Sequence, residues 1–429
     1  MEHIGLLCPP ALGHLLPICN IGIELQNRGY PVTLFGLPDV KVKIDKTPLD
    51  FCPIESPDFP EGELDDFLAQ ISGLSSTRMQ SLNFTVSWSE KATRMMFREA
   101  PDVIRRNSID FLLVDQITVA GGTIADHLRL PYVTVCGAVP INQEPGIPPV
   151  YTHWAYQNIW WAKLRNQLGY QLLNYLTRPI WNMILLQRKK WNLPLYRCQE
   201  DAFSNLAQIC QMPEALDFPR EKRPSSFHYV GSLKNPSGVE AGYSNKQDIP
   251  FEISKEKPLI YASLGTLQSG NQKIFRCIAE ACLQLEVQLV IDLGNPSADP
   301  SSVNLLEAIV LPFAPQQKLI NKARLVITHA GSTAINCLEA GVPMVAIPIT
   351  SDQPGMAARL ARAGASEVIP LSHLTVPKLK ACIEKVLSDQ SYRDSAIELS
   401  DNIQKSGKVC RAADIIEQAI KTKAPVLGT

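Results

Sequence analysis

No two cysteines in this chain of 429 residues are spaced C-x-x-C, and the eleven present are an odd number scattered from Cys8 to Cys410. That pattern argues against a zinc site and supplies no disulfide framework, so a reducing compartment fits it best. Charge of one sign is lacking as well, with 41 Lys and Arg against 42 Asp and Glu. Without a basic excess there is no general electrostatic reason to hold nucleic acid. No apolar run approaches ~20 residues, the length that spans a bilayer, and the N-terminus enters a strand-like run with no basic leader. The expectation is a cytoplasmic protein, neither exported nor threaded through a membrane. Also missing are G-x-x-x-x-G-K-[ST], G-x-G-x-x-G and the D-x-D pair that anchors a divalent ion on a diphosphate. Any diphosphate bound here must be neutralised by the protein's own groups, so neither a metal nor a cofactor is expected.

The length exceeds what one hydrophobic core usually serves, and 45% hydrophobic with 19% charged residues describes an ordinary globular protein. "HIGLLC" (His3 to Cys8), a helical pattern closed by Arg28-Gly29, and Val32 to Phe35 form a β-α-β opening with a parallel crossover. "DFLLVD" (Asp110 to Asp115) and "YVTVCG" (Tyr132 to Gly137) repeat the rhythm. From Tyr151 to Leu195 aromatic and aliphatic residues mix with Lys and Arg, including Trp154, Trp160, Trp161, Trp181 and Trp191. This density suits helices that line an apolar pocket or touch a membrane surface, and equally suits helix packing alone. A polar stretch at 236–256 reads as a linker. Strand patterns then restart: "LIYASLG" (Leu259 to Gly265), "VQLVIDLG" (Val287 to Gly294), "AIVLPFA" (Ala308 to Ala314), "RLVITHAG" (Arg324 to Gly331) and "PMVAIPI" (Pro343 to Ile349). Two doubly wound α/β halves place a cleft at the carboxyl ends of both sheets.

Strand ends in the second half carry the residue types an anion needs. Gly265 and Thr266 follow one strand; His329, Gly331, Ser332 and Thr333 follow another, where a helix should begin. Free backbone N–H groups at a helix start, with the helix dipole, form an anion site, although a turn and cap would use the same residues. Phe313, Ala314 and Gln316 add an aromatic face and an amide suited to a base, and Asp352 with Gln353 add a carboxylate and an amide suited to sugar hydroxyls. In the first half, His14 in "GHLLP" and Asp115 at the end of "DFLLVD" lie on strand ends that can meet in the cleft. His is the side chain best matched to taking a proton near neutral pH, and a carboxylate on its other nitrogen fixes the tautomer. A lone His at a helix start is also a common cap or surface residue. His3, His127, His153, His228 and His373 lack acidic or thiol partners at ligand spacing, and only His153, in the aromatic segment, is a candidate to touch an acceptor.

"FAPQ", "HAGST", "GVPMVAIP" and "SDQPG" follow one another here in the order and near-spacing of a donor-binding signature. In these elements the chain resembles the plant-type UDP-glycosyltransferases and their bacterial relatives. "DQPG" and the hydrophobic middle are similar to the branch that glucosylates carotenoids such as zeaxanthin. The resemblance implies the GT-B fold: two Rossmann-like domains facing a central cleft, with a C-terminal helix returning to the first. The divisions would be 1–235 for the acceptor, 257–405 for the UDP-sugar and 406–429 for the returning helix. It further implies an inverting, metal-independent hexosyl transfer, with glucose favoured, from a UDP-sugar to a hydrophobic small-molecule acceptor. His14 and Asp115 would be the catalytic dyad. Two departures stand out: Phe313 replaces the plant Trp, and a donor element one residue short puts Asn336 where the ribose-binding Glu belongs, with Glu339 farther on. Macrolide, sterol or flavonoid-like acceptors, and an idle nucleotide-sugar or lipid-binding module, are the alternatives. Peripheral contact with the inner face of a membrane would run through 151–195.

Overall fold

The computed structural model describes residues 1–64, 66, 70, 78–234, 248–266, 270–302 and 305–428, with side chains left out at 78–83 and 302. Most of the expected 236–256 linker falls outside the described residues. Seven parallel strands form the first sheet: β1 (Ile4–Leu7), β2 (Val32–Gly36), β3 (Asp50–Pro53), β4 (Phe111–Asp115), β5 (Tyr132–Cys136), β6 (Gln208–Cys210) and β7 (Phe227–Tyr229), in the order 3-2-1-4-5-6-7. Six more form the second: β8 (Leu259–Ser263), β9 (Gln288–Asp292), β10 (Ile309–Leu311), β11 (Leu325–Thr328), β12 (Met344–Ala346) and β13 (Ser366–Val368), in the order 10-9-8-11-12-13. Both orders reverse direction beside the first strand of their sheet, and such switch points open crevices at the carboxyl ends. This is the two-lobed GT-B architecture.

Burial on both faces explains the sequence of these strands. β11 sends Leu325 and Ile327 into one apolar layer and Val326 into the other, and β8 divides Ile260 and Ala262 from Leu259 and Tyr261 in the same way. Helix α1 (Leu12–Asn27) lies close on the first sheet because Gly22 has no side chain; a Cβ there would fall 2.8 Å from Leu6 Cδ1. At the other end of the chain α11 (Ser391–Lys405) packs on the second lobe. After Gly407, at φ +81°, α12 (Lys408–Thr422) crosses to pack on α1. Arg28, which caps the end of α1, fastens it, reaching Asp414 at 2.7 Å and Glu417 at 3.0 Å. Between α1 and α11 lie α2 (Arg78–Arg106), α3 (Gly121–Leu128), α4 (Trp160–Leu176), α5 (Arg178–Lys190), α6 (Gln272–Leu283), α7 (Gln316–Lys322), α8 (Ser332–Glu339), α9 (Gln353–Arg362) and α10 (Val376–Ser388).

The lobes are joined by shared packing rather than by a chain crossing alone. Cys136, Met212, Leu216 and Phe227 of the first lobe belong to the same apolar cluster as Val326, Met344 and Leu360 of the second. Beside it sits Asp217, whose carboxylate accepts from Arg359 at 2.7 Å, Arg220 at 2.8 Å, the Tyr229 hydroxyl at 2.6 Å and the Phe218 N–H at 2.8 Å. Arg359 comes from α9 in the second lobe, is fully buried, and stacks over the Phe218 ring. Burial opposes the charge on Asp217, but the two guanidiniums and the hydroxyl outweigh it and hold the carboxyl well below the usual carboxylate range. Its stabilisation is therefore complete above about pH 4, where an unfolded Asp ionises, and is lost only as pH falls through the depressed folded value. Arg359→Met leaves Asp217 short of a buried partner and is expected to cost about 3–5 kcal/mol in chemical unfolding. A loss within the ~1 kcal/mol typical of exposed ion pairs would show that this contact does not tie the lobes.

Candidate active site

α1 begins at the carboxyl end of β1, which carries His14 to the crevice, and β4, the neighbour of β1, ends on Asp115. The two side chains meet: His14 Nδ1 lies 2.9 Å from Asp115 Oδ2. The other carboxylate oxygen takes the Ile117 N–H at 2.9 Å, so Asp115, 1% exposed, is held on both sides. Gly137 makes room for the pair, since a Cβ there would sit 3.3 Å from Asp115 Oδ2 and 3.6 Å from His14 Cα. Burial alone would lower the His14 pKa. The charge and hydrogen bond of Asp115, with the more distant charge of Asp352, overcome it and leave the value raised. With Nδ1 committed to the carboxylate, Nε2 is the nitrogen that can exchange a proton.

In the second lobe His329 follows β11 and is wedged between two glycines. A Cβ at Gly331 would fall 2.3 Å from its Nε2, and one at Gly265, where φ is +72°, 2.8 Å from its Cε1. Burial pushes the His329 pKa down to about 4, against a raising hydrogen bond to the Ser263 backbone, so the ring is neutral at ordinary pH. Its Nδ1 is buried without a hydrogen-bond partner. Gly331 is the N-cap of α8, which has no side-chain cap and no acid in its first turn, so nothing of the helix's own neutralises its positive end. Ser332 at that helix start faces the His14 loop directly: a Cβ on Gly13 would be 3.7 Å from Ser332 Oγ. The His14–Asp115 pair and the uncapped start of α8 thus meet across the cleft.

The remaining predicted residues are placed unequally. Phe313 and Gln316 line the cleft, but Ala314 lies beneath it, its N–H given to Asp292 Oδ1 at 3.2 Å. Gln316 is tied into the wall, its Oε1 accepting from Asn336 Nδ2 at 2.9 Å. Asn336 does line the cleft; Glu339 does not, because it pairs with Lys408 at 2.6 Å and Lys234 at 3.5 Å. Asp352 accepts the Val139 N–H of the first lobe at 3.2 Å, and Gln353 Oε1 takes the N–H groups of Ile349 and Thr350 at 2.9 Å each. Both line the cleft with part of their hydrogen-bonding capacity already used. Gly265 and Thr266 line it too, bordering 267–269, which are not described.

One cavity of about 790 Å³ joins these groups. Its second-lobe end is polar; its first-lobe end is walled by side chains such as Leu16, Phe35, Trp88, Met95, Ile184 and Phe203. The aromatic segment divides its work. Tyr170, Leu173, Ile180 and Trp181 line this chamber, whereas Trp191 stacks on His127 at 3.9 Å and Trp154 carries Arg165 over its ring. Trp160 and Trp161 face solvent. His153 is exposed and does not line the cavity, contrary to the expectation that it could touch an acceptor. Among the described residues no group of three or more His, Cys, Asp or Glu could hold a metal ion. Sequence reasoning missed Asp292 at the end of β9, which gathers Tyr261, Gly294, Ser263 and Ala314 around itself at 2.8–3.3 Å and whose pKa burial raises to about 6. Its position after an apolar strand, like that of Asp115, was the available signal.

Known proteins agree with this architecture. Residues 95–408 match the family model described as "UDP-glucoronosyl and UDP-glucosyl transferase". A zeaxanthin glucosyltransferase of Pantoea ananas is 29% identical over 100% of this chain and 98% of its own. Among solved structures, the glycotransferase of kitacinnamycin superposes with a TM-score of 0.72 at 18% identity, covering 97% of this chain and 98% of its own. A spinosyn rhamnosyltransferase complexed with thymidine diphosphate gives 0.69 at 17% identity, covering 97% and 100%. With the family model spanning most of its length, the chain belongs to the UDP-glucuronosyl and UDP-glucosyl transferase family and is a glycosyltransferase that uses a nucleotide sugar.

Proposed function

We propose that the protein transfers a hexose, most readily glucose, from a UDP-sugar to a hydroxyl of a hydrophobic small molecule of carotenoid type, with inversion at the anomeric carbon. The observation that carries this reading is the single cavity in which an apolar first-lobe chamber, the His14–Asp115 pair and the polar second-lobe strand ends are continuous. The 29% identical zeaxanthin glucosyltransferases of Pantoea ananas and Pseudescherichia vulneris support the acceptor class. In this reading residues 1–235 hold the acceptor, 257–405 the donor, and 406–429 brace the first lobe. Because such an acceptor resides in lipid, the reading includes peripheral contact with a membrane through 151–195.

His14 Nε2 takes the proton of the acceptor hydroxyl as its oxygen attacks, and Asp115 stabilises the imidazolium that forms. The diphosphate leaves toward the start of α8, where the backbone N–H groups of Gly331, Ser332 and Thr333 and the Thr266 hydroxyl supply the counter-field. His329, being neutral, contributes a hydrogen bond and no charge. Phe313 stacks on the base, Gln316 and Asn336 serve base and ribose from their shared hydrogen bond, and Asp352 Oδ1 with the Gln353 NH2 grips the sugar. No metal ion or cofactor has a part in this scheme, so turnover in excess chelator should equal that without it.

Incubation with UDP-glucose and a panel of zeaxanthin-like, macrolide, sterol and flavonoid alcohols tests the reading through a hexose mass increment. The zeaxanthin-like alcohol should gain it fastest; no increment on any member would contradict the function. His14→Ala should lower kcat about 10²–10⁴-fold with UDP binding unchanged, and retained turnover would remove His14 from the chemistry. The Asp115 carboxylate raises the imidazole pKa, so Asp115→Asn lowers it and should move the acid limb of the kcat/KM profile to lower pH while reducing its plateau. An unmoved limb would show that the pair does not titrate as a unit. Gly331→Ala must displace the His329 ring and is expected to weaken UDP binding roughly ten- to a hundredfold, as for loss of a hydrogen bond to a charged group; calorimetry reads this directly.

A further inference from the structure

One face of α4 is exposed and apolar. Trp160, Trp161, Leu164, Leu168, Leu172 and Tyr175 are between 44% and 77% exposed. At 100° per residue they fall within an arc of about 120°, with Gln171 the one polar residue inside it. The opposite face buries Ala162, Asn166, Gly169 and Tyr170, and Tyr170 and Leu173 reach the acceptor chamber. The same helix therefore separates that chamber from whatever covers its outer stripe. Leu186 of α5 and Leu195 beyond it extend the exposed apolar surface, at 69% and 57%.

Charge identifies the covering surface. From Pro145 to Gln199 the chain has no Asp or Glu, against Lys163, Arg165, Arg178, Arg188, Lys189, Lys190 and Arg197. Three of these are engaged within the lobe: Lys163 pairs with Glu221, Arg165 lies over Trp154, and Arg188 is buried on Asp126. Arg178, Lys189, Lys190 and Arg197 are exposed. In a chain with net charge −1, a segment of this length without a single acid is a local departure. An apolar stripe with aromatic residues at both ends, followed by exposed cations on the helix packed next to it, matches the interfacial zone of a bilayer whose headgroups are anionic. α4 has 17 residues, and no described helix is long and apolar enough to cross a membrane, so it would lie in the surface plane.

We propose that the exposed face of α4, with the cations of α5, docks on an anionic lipid surface and sets the acceptor chamber against the bilayer. The proposal rests on the reading of that chamber as the site of a hydrophobic acceptor. Docking of this kind lets a lipid-dissolved alcohol enter the chamber without crossing water. A second copy of the chain would set the same cations against these, and an acidic protein face would match the charge but not the aromatic residues at both ends of the stripe, which suit the interfacial zone of a bilayer.

Flotation of the purified protein with phosphatidylcholine vesicles, with or without phosphatidylglycerol, tests this in the absence of donor and acceptor. The protein should float with the phosphatidylglycerol vesicles and stay in solution with phosphatidylcholine alone. The triple variant Leu164→Glu, Leu168→Glu, Leu172→Glu should lose flotation at least tenfold while keeping its circular dichroism and UDP affinity, because these side chains are exposed and outside the cavity. Lys189→Glu with Lys190→Glu should lower it about tenfold or more. Equal partition to both vesicle types, no partition to either, or flotation of the triple variant like the unaltered protein overturns the proposal. So does a dimer in solution that Leu168→Glu dissolves without any vesicle binding. Transfer to a short, water-soluble alcohol, assayed without lipid, reports separately on the chemistry, so failure of docking and failure of the transferase reading are told apart.

Discussion

Two parallel sheets can face one cleft only if something holds their carboxyl ends toward each other, and here that restraint is the buried Asp217–Arg359 contact with its surrounding shared core. The carboxylate comes from the first lobe, between β6 and β7, and the guanidinium from α9 in the second. Asp217 is satisfied on four sides, while Nη2 of the buried Arg359 has no hydrogen-bond partner, so removing either member would leave the other charge buried and short of contacts. α9 is also the helix that opens with Asp352 and Gln353, and its Gly355 N–H bonds Val150 of the first lobe at 2.7 Å. One helix therefore carries both the tie between lobes and, at its start, two residues of the cleft wall. The distance from His14 to the start of α8 follows from this tie.

Electrostatics divides the cleft into two ends with different tasks. In the first lobe a buried carboxylate raises an imidazole pKa, which suits a group that must accept a proton and hold it. In the second a buried imidazole without a carboxylate is pushed to about 4 and stays neutral. Two histidines at strand ends, in similar burial, are thus assigned opposite behaviour by the presence or absence of one acidic neighbour. A neutral His329 leaves the field at that end of the cleft to the backbone dipoles at the uncapped start of α8.

Much of this was legible in the sequence. Strands β1, β4, β8 and β11 are apolar on both faces, and Asp115 at the end of β4, Gly265 two residues past β8 and His329 directly after β11 made those strand ends readable as residue types. Strands β3, β6, β7 and β13 were not, because a polar residue or a proline interrupts each of these three- or four-residue runs (DFCP, QIC, FHY and SEV), whereas β10 and β12, equally short, are wholly apolar (IVL and MVA). Asp217 and Arg359 are 142 positions apart, and neither has a local pattern that announces its partner. Asp352 and Gln353 were readable as residue types, but their bonds to Val139, Ile349 and Thr350 depend on the fold. For 151–195, composition gave the aromatic density and could not give its direction: Trp181 turns inward to the chamber and Trp160 outward to solvent. That distinction needs the helix axis and its neighbours. Similarly, Gly13 and Gly137 matter only because Ser332 and Asp115 stand opposite them.

In the proposed transfer a base on one lobe drives a single displacement at a sugar held by the other. Proton NMR of the glycoside formed from UDP-α-glucose measures this most directly. A β-glycoside, recognised by the large coupling of an axial anomeric proton, is the outcome of one attack from the face opposite the diphosphate. An α-glycoside would require either front-side attack or a covalent intermediate, for which His14, committed through Nδ1 to Asp115, makes no provision, and would contradict the account.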